Sequence, residues 1–128
     1  MALERIQPDG LSRPPTYSQV VKAGNTIYVA GQVSQDEHGQ LVGAGDFVAQ
    51  ATQVFENLRK ALAAAGAGFE NLVKTNVYVT DPRYREALRD VRSKHLGATS
   101  LPTSTLVVVA GLAMPEYLLE IEAVAVVE

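Results

Sequence analysis

The feature that most constrains the fold lies in the last quarter of the chain, where residues 102–109 and 118–126 form two segments rich in strand-forming residues. A strand points alternate side chains to opposite faces of its sheet. One face of the second segment is wholly apolar and consists of Leu119, Ile121, Ala123, Ala125 and Val127. The other face carries Glu120 and Glu122 among apolar neighbours. Because burying an unpaired carboxylate costs free energy, we expect this second face to meet water or to line a site.

Further strands are predicted upstream. Residues 19–23 and 26–30 flank a two-residue loop that begins with Gly24, and glycine at that position suits a type II′ hairpin turn. Residues 72–80 alternate and are rich in valine, threonine and tyrosine, which indicates another strand. We also expect residues 4–7 to form an edge strand.

Two amphipathic helices are predicted between these strands. Apolar residues recur at helical spacing over residues 47–65, and Asp46 can cap this helix with its side-chain oxygen. A second and more polar helix is predicted, with Asp81 as its cap and Pro82 at its first helical position. Its apolar residues recur at helical spacing from Tyr84 to Leu96.

The predicted element order is β-β-β-α-β-α-β-β. This order is typical of an α+β fold with a single β-sheet and two helices packed on one face. The absence of a repeat or linker predicts a single domain over residues 1–128. Two helices leave the other face of the sheet uncovered, and exposed apolar area on that scale usually marks an interface. We therefore expect the chain to assemble with further copies of itself.

Composition and charge disfavour several classes of function. The chain has no cysteine, so thiolate chemistry and disulfides are absent. Its net charge is −3 and it has no basic run, which argues against a nucleic-acid partner. No apolar run reaches the roughly 20 residues of a membrane span, and the first residues lack the apolar core of a signal peptide. We expect a cytoplasmic protein without a metal, since no His, Asp or Glu cluster has metal-ligand spacing.

Four parts of the chain together resemble one family. They are the two C-terminal segments, residues 15–19 with the sequence PTYSQ, and residues 30–32 with the sequence AGQ. In collinear order over nearly the whole chain, they resemble the Rid superfamily of reactive intermediate deaminases, also called YjgF/YER057c/UK114. The resemblance implies a chorismate mutase-like fold, a homotrimer with a ligand cleft between subunits, and no cofactor. It also implies hydrolysis of an enamine or imine to a ketone and ammonia.

The resemblance also implies roles for three residues. Tyr17 is expected near the substrate, Gly31 is expected to offer backbone groups, and Glu120 is expected near the attacking water or the leaving nitrogen. Each residue has a plainer interpretation. Glu120 could be a surface glutamate paired with a cation, Tyr17 a packing aromatic and Gly31 a strand bulge. From its position alone, Glu122 is interpreted as structural, and His38 and His95 as surface histidines.

One position departs from the family pattern. In deaminating members, an arginine that follows a Pro-Xaa pair holds the substrate carboxylate with two parallel hydrogen bonds. Here Pro102 and Thr103 are followed by Ser104, and losing such a charge-assisted partner typically costs about 2–5 kcal/mol. The substrate is therefore expected to differ from 2-aminoacrylate, and the hydroxyls suggest a site for a neutral group. Arg89 or Arg92 on the second helix could compensate as further substrate-binding residues.

Three functions stay open at this point. The first is a hydrolase of the Rid type that acts on an enamine or imine. The second is a non-catalytic binder or sensor that uses the same cleft, which the serine at position 104 favours. The third is an endoribonuclease or translation inhibitor, which ranks last because the chain lacks a basic aromatic stripe and a pair of histidines placed as acid and base.

Overall fold

The computed structural model describes residues 2–128 and, within them, six strands and two α-helices. The strands are β1 (Leu3–Ile6), β2 (Val20–Ala23), β3 (Thr26–Gln32), β4 (Leu72–Val79), β5 (Thr103–Val108) and β6 (Leu119–Val126). The helices are α1 (Phe47–Ala64) and α2 (Arg85–Leu96), and short 3-10 turns cover Phe69–Asn71 and Pro82–Tyr84. This order confirms the predicted succession of elements.

The six strands form one mixed sheet in the order β1-β2-β3-β6-β4-β5. Strand β6 is antiparallel to both of its neighbours, β3 and β4. Strands β4 and β5 are parallel, and α2 lies in the connection between them, as parallel strands require a crossover. The last strand of the chain therefore occupies an interior position and joins the N-terminal and C-terminal halves.

The hydrophobic core lies between one face of the sheet and the two helices. On β6, the buried face consists of Leu119, Ile121, Ala123 and Ala125, as the alternation predicted. Helix α1 supplies most of the opposing side, and α2 adds Leu88 and Val91 to the same cluster. The predicted mixed architecture, with a single sheet and two helices, is confirmed.

Local sequence signals define the ends of several elements. Gly24 has φ 59°, so the hairpin loop begins in the left-handed region. The carboxylate of Asp46 accepts a 3.0 Å hydrogen bond from the Ala49 amide and caps α1. Asp81 caps the 3-10 turn through the Arg83 amide at 2.9 Å, and regular α-helix begins only at Arg85. The second helix is thus shorter at its start than predicted.

His95 is not the surface residue that its position near a helix end predicted. Its ring is half-buried and stacks on Phe55 at a centroid distance of 5.2 Å, with Phe69 edge-on at 6.3 Å. Nδ1 lies 2.9 Å from the Val91 carbonyl oxygen. Packing of the end of α2 against α1 explains this burial, whereas His38 is exposed as expected.

The face of the sheet opposite the helices is uncovered in the single chain. Tyr28, Val107 and Val126 expose large apolar side chains on it, and Tyr28 is 51% exposed. A shallow hollow of about 390 Å³ crosses this face beside Asn76 and Glu122. The uncovered face is therefore mixed, with apolar patches next to carboxylates, rather than uniformly polar.

Candidate functional site

Glu120 and Gly31 form the closest contact among the predicted site residues. In β3, Ala30 and Gly31 together oppose the single residue Glu122 of β6, which makes a β-bulge. A Cβ atom added at Gly31 would lie only 2.8 Å from Cδ and 3.0 Å from Cγ of Glu120. Gly31 is therefore both the bulge that its plainer interpretation proposed and a point of close approach, and any side chain at this position would force the Glu120 carboxylate to move.

The Glu120 carboxyl group is half-buried and receives no side-chain hydrogen bond among residues 2–128. Burial raises its pKa above the ordinary value, and the nearby charge of Glu122 raises that pKa further. A carboxyl group with a raised pKa exchanges protons more readily near neutral pH. The geometry thus makes Glu120 suitable as a general acid or base.

Glu122 has different surroundings on the same face of β6. Its Oε1 accepts hydrogen bonds from Asn76 Nδ2 at 3.0 Å and from the Tyr78 hydroxyl at 2.8 Å. The bond to Glu122 also raises the pKa of the Tyr78 hydroxyl. These bonds tie β6 to β4, which agrees with the structural interpretation of Glu122.

Tyr17 lies on a loop that is held beside the bulge by the hydrogen bonds of two buried glutamines. Its side chain is 54% exposed. Gln32 Nε2 donates to Gln19 Oε1 at 2.8 Å, and Gln19 Nε2 donates to the Ser12 carbonyl oxygen at 3.0 Å. The Ala30 amide donates to the Gln19 carbonyl oxygen at 2.9 Å. This network fixes the Tyr17 loop to the strand that carries Gly31, and in the single chain Tyr17 is presented outward.

Tyr117 is a neighbour that the sequence alone did not single out. Burial raises the pKa of its hydroxyl, and nearby Tyr17 and Glu116 raise it further. The side chain of Gln50 holds the segment before β6 in place, since it accepts from the Leu118 amide at 3.0 Å and donates to the Glu116 carbonyl oxygen at 2.9 Å. A lone tyrosine in a loop carries no pattern, so only the three-dimensional arrangement reveals its place near Tyr17.

Ser104 lies near the start of edge strand β5, across a cleft from α2. Its Oγ accepts a 3.0 Å hydrogen bond from Thr75 Oγ1. An open cleft of about 220 Å³ beside it is lined by Arg85, Arg89 and Arg92. Ser104 and Arg92 also line a more enclosed, largely apolar cavity of about 100 Å³. Both arginines that were expected to compensate for the missing cation therefore border the space beside Ser104.

The predicted residues do not form one site within a single chain. In the register of β5 with β4, Ser104 pairs with Thr75, whose side chain is buried toward the helices. In the register of β6 with β4, Glu120 pairs with Tyr78, and both point to the uncovered face. Glu120 and Ser104 therefore face opposite sides of the same sheet. The structure brings Gly31 and Glu120 into contact and ties the Tyr17 loop to the same strand, whereas Ser104, Arg89 and Arg92 border a separate cleft.

Within residues 2–128, no three His, Cys, Asp or Glu side chains come together as a metal site would require. None of the helices there has the length and apolarity needed to cross a membrane.

Fold and site together define a small α+β protein with a half-buried carboxylate held against a glycine bulge. Residues 11–127 match the family described as endoribonuclease L-PSP. A mouse (Mus musculus) protein named 2-iminobutanoate/2-iminopropanoate deaminase is 40% identical over 111 residues, which cover 86% of this chain and 80% of the mouse protein. A RutC family protein of Pyrococcus abyssi is 38% identical over 127 residues and 98% of each chain.

A solved structure supports the same assignment. The crystal structure of RidA from the Antarctic bacterium Psychrobacter sp. superposes with a TM-score of 0.89 and 37% identity, over 97% of this chain and 99% of that one. The chain therefore belongs to the endoribonuclease L-PSP family, which is also called the YjgF/Rid family. The family resemblance proposed from the sequence is confirmed.

The contact between Gly31 and Glu120 leads to a first prediction. In Gly31→Ala, the new methyl group should displace the Glu120 carboxylate, and we expect the folded variant to lose about 1 kcal/mol of unfolding free energy. Urea denaturation measures the loss, and ¹³C NMR of the Glu120 carboxyl reports its displacement. Gly111→Ala is the matched control, because a Cβ there meets nothing within 4 Å. An unchanged Glu120 signal in Gly31→Ala would contradict the contact.

The raised pKa of Glu120 leads to a second prediction. The pKa of Glu120 is higher in the folded than in the unfolded state, so the folded protein binds the Glu120 proton more tightly. The contribution of Glu120 to the free energy of unfolding therefore falls as the pH rises from the unfolded-state pKa through the folded-state pKa. Glu120→Gln removes the titration. Relative to wild type, the variant should therefore gain unfolding free energy between acidic and neutral pH.

Urea denaturation of both proteins from pH 3 to pH 8 measures this difference and also covers the range below pH 4.5 in which Glu56 titrates. Glu56→Gln provides a control of opposite sign, since a hydrogen bond from Arg59 lowers the pKa of Glu56. A difference between wild type and Glu120→Gln that stays constant with pH would show that burial does not perturb this carboxyl group.

Proposed function

We propose that this protein hydrolyses the C=N bond of a small enamine or imine, with Glu120 as the general acid and base. The observation that carries this proposal is the half-buried Glu120 carboxyl, with its raised pKa, held against the Gly31 bulge. Membership in a family whose relatives include proteins named imine deaminases supports it. The cytoplasmic location remains a prediction.

The chemistry requires one water and no redox step. Glu120 takes a proton from the water as its oxygen adds to the imine carbon, and it gives that proton to the nitrogen, which yields a carbinolamine. Glu120 then takes the remaining hydroxyl proton and transfers it to the amino nitrogen. The C–N bond breaks, the carbon keeps the oxygen as a carbonyl, and the nitrogen leaves as ammonia. An enamine substrate first takes a proton on carbon to become the imine. Tyr17 and the backbone of Gly31 would bind and orient the substrate.

We further propose that the substrate is not the imine derived from 2-aminoacrylate. The support is Ser104, which stands on β5 where deaminating relatives, by the resemblance, carry an arginine. A serine hydroxyl cannot replace a fixed bidentate cation. The alternative, a non-catalytic binder that uses the same cleft, rests on this same substitution.

The site is proposed to lie between subunits of a homotrimer. Because Glu120 and Ser104 face opposite sides of one sheet, they can meet at a single ligand only if different copies of the chain contribute them. The uncovered face with Tyr28, Val107 and Val126 offers apolar area for such assembly. That the assembly contains three copies of the chain is an expectation from the family resemblance.

Light scattering tests the assembly directly. We expect a mass about three times the 13.7 kDa of one chain. Tyr28→Lys places a charge in the apolar part of the uncovered face and should shift the mass toward the monomer. Val48→Lys is the control, because Val48 is equally exposed but lies on α1. A monomeric wild type would contradict the shared site.

Ammonia release tests the activity. The assay would present enzymatically generated 2-iminopropanoate and a set of neutral imines to wild type, Glu120→Gln and Glu56→Gln. We expect Glu120→Gln to lower kcat/KM on the best substrate by about 10²- to 10⁴-fold, because proton transfer is lost. Glu56→Gln should match wild type. Activity that is equal in wild type and Glu120→Gln would refute the catalytic role.

The same assay separates the alternatives. Ser104→Arg should increase the rate on 2-iminopropanoate by at least about tenfold if the rest of the cleft is intact. A wild type that turns over no imine, while a small molecule raises its Tm, would favour the binder.

A further inference from the structure

We infer that Arg5 of β1 and Arg13 of the loop that follows it form, beside Tyr17, an anion-binding site for a phosphate group. The phosphate is either inorganic phosphate or the end of a small phosphomonoester. This site goes beyond the proposed hydrolysis, which uses neither arginine, and the experiment that tests it needs no turnover.

The register of β1 places Arg5 on the uncovered face of the sheet. Arg5 pairs with Val21, and Val21 pairs with Tyr28, which is one of the exposed residues of that face. Because side chains alternate along a strand, the carboxylate of neighbouring Glu4 points to the other face. The acidic side chain next to Arg5 in β1 is therefore directed away from it.

A cleft brings Arg5 and Arg13 together although they belong to different segments of the chain. It has a volume of about 180 Å³, and its lining includes Gln7, Tyr17 and Ser18 but no aspartate or glutamate. Guanidinium and hydroxyl groups can all donate hydrogen bonds. The polar part of this lining therefore suits an anion.

Hydrogen bonds hold the loop that carries Arg13 in a fixed position before any ligand binds. Gln7, which directly follows β1, donates from Nε2 to the Ser12 carbonyl oxygen at 3.1 Å. The same oxygen accepts from Gln19 Nε2 at 3.0 Å, and the Ser12 hydroxyl accepts from Gln35 Nε2 at 3.0 Å. Because the backbone next to Arg13 is tied to the end of β1, less conformational entropy is lost when a ligand binds.

The positive charge of this cleft is not balanced by a neighbouring acid. In the part of the chain that the structure describes, the ion pairs involve His38, Arg59 and Arg83, so Arg5 and Arg13 have no carboxylate partner there. The chain as a whole has a net charge of −3, so two unpaired cations at one cleft run against its overall charge. Cations that share a cleft repel each other, and a bound anion opposes this repulsion.

The charge and size of the cleft favour a phosphate over a carboxylate. Two guanidinium groups supply two positive charges, which match a phosphate that carries close to two negative charges at neutral pH. A carboxylate carries only one, and the planar fork of arginine binds two phosphate oxygens at once. The volume of about 180 Å³ is below the roughly 300–1,000 Å³ of typical ligand pockets, so the cleft suits one charged group rather than a whole large ligand.

Calorimetric titration of the full chain at about pH 8 tests this site. The probes are inorganic phosphate, O-phosphoserine, serine and butanoate, which is a carboxylate monoanion. We expect wild type to bind at least one of the two phosphates, and we expect Arg5→Gln and Arg13→Gln each to weaken that binding by about 10- to 100-fold. Arg13→Lys, which retains the charge, should lose less than Arg13→Gln. Serine, which lacks the phosphate, should not bind at this site.

Arg85→Gln is the matched control, because Arg85 is also exposed and without an ion pair among residues 2–128, but it lies on α2. It should bind both phosphates as wild type does. Tighter binding of inorganic phosphate would support the site with free phosphate as its ligand. Tighter binding of O-phosphoserine would support it with an organic phosphomonoester.

Four outcomes would overturn the inference. They are a wild type that binds neither phosphate, arginine variants that bind as wild type does, an equal loss in Arg85→Gln, and butanoate binding as tight as phosphate binding. Arg5 and Arg13 are both exposed, so their replacement should leave the fold intact. Circular dichroism of each variant checks this before the titration.

Discussion

Strand β6 is the constraint on which the rest of the structure depends, because its two faces serve different purposes. It pairs with β3 on one side and β4 on the other, so it joins both halves of the sheet. The side chains on one face of β6 are buried in the core beneath the helices. Because side chains alternate along a strand, the intervening side chains, including Glu120 and Glu122, point to the uncovered face. A one-residue shift in register would bury both carboxylates, so the hydrophobic pattern that stabilises the fold also fixes the position of the candidate acid and base.

Much of the fold could be predicted because its signals are local. Strand alternation, the Asp46 cap and the hairpin glycine each depend on a few adjacent residues, and the structure bears them out. Long-range packing was harder to predict. His95 is stacked on Phe55 because α2 meets α1, which no neighbouring residue indicates. The place of Tyr117 near Tyr17 depends on a loop held by Gln50, which is distant in sequence.

The candidate site shows the same division. Strand alternation singled out Glu120 and the family resemblance added Gly31, and their contact follows from the bulge between β3 and β6. The opposite orientations of Glu120 and Ser104 could not be predicted, because they require the registers of β4 with both of its neighbours. A sequence shows which side chains of one strand share a face of the sheet. It does not show whether side chains of two strands that are not adjacent in the sheet point to the same face. The proposal that a second copy of the chain completes the site arises only from these two registers.

The two glutamates of β6 show how neighbouring groups of one type acquire different roles. Glu122 accepts two hydrogen bonds, from an amide and a phenol, which compensate for the water it loses. In the part of the chain that the structure describes, Glu120 lies against Gly31 and accepts no such hydrogen bonds. Nothing therefore replaces the water that Glu120 loses on burial, and its charged form is disfavoured. Environments that separate two carboxyl groups in this way commonly distinguish a proton-transferring group from a fixed one. Within residues 2–128, no group donates a hydrogen bond to Glu120, and this absence, rather than the position of Glu120 alone, is the strongest argument for the proposal that it is the reactive carboxyl of this sheet.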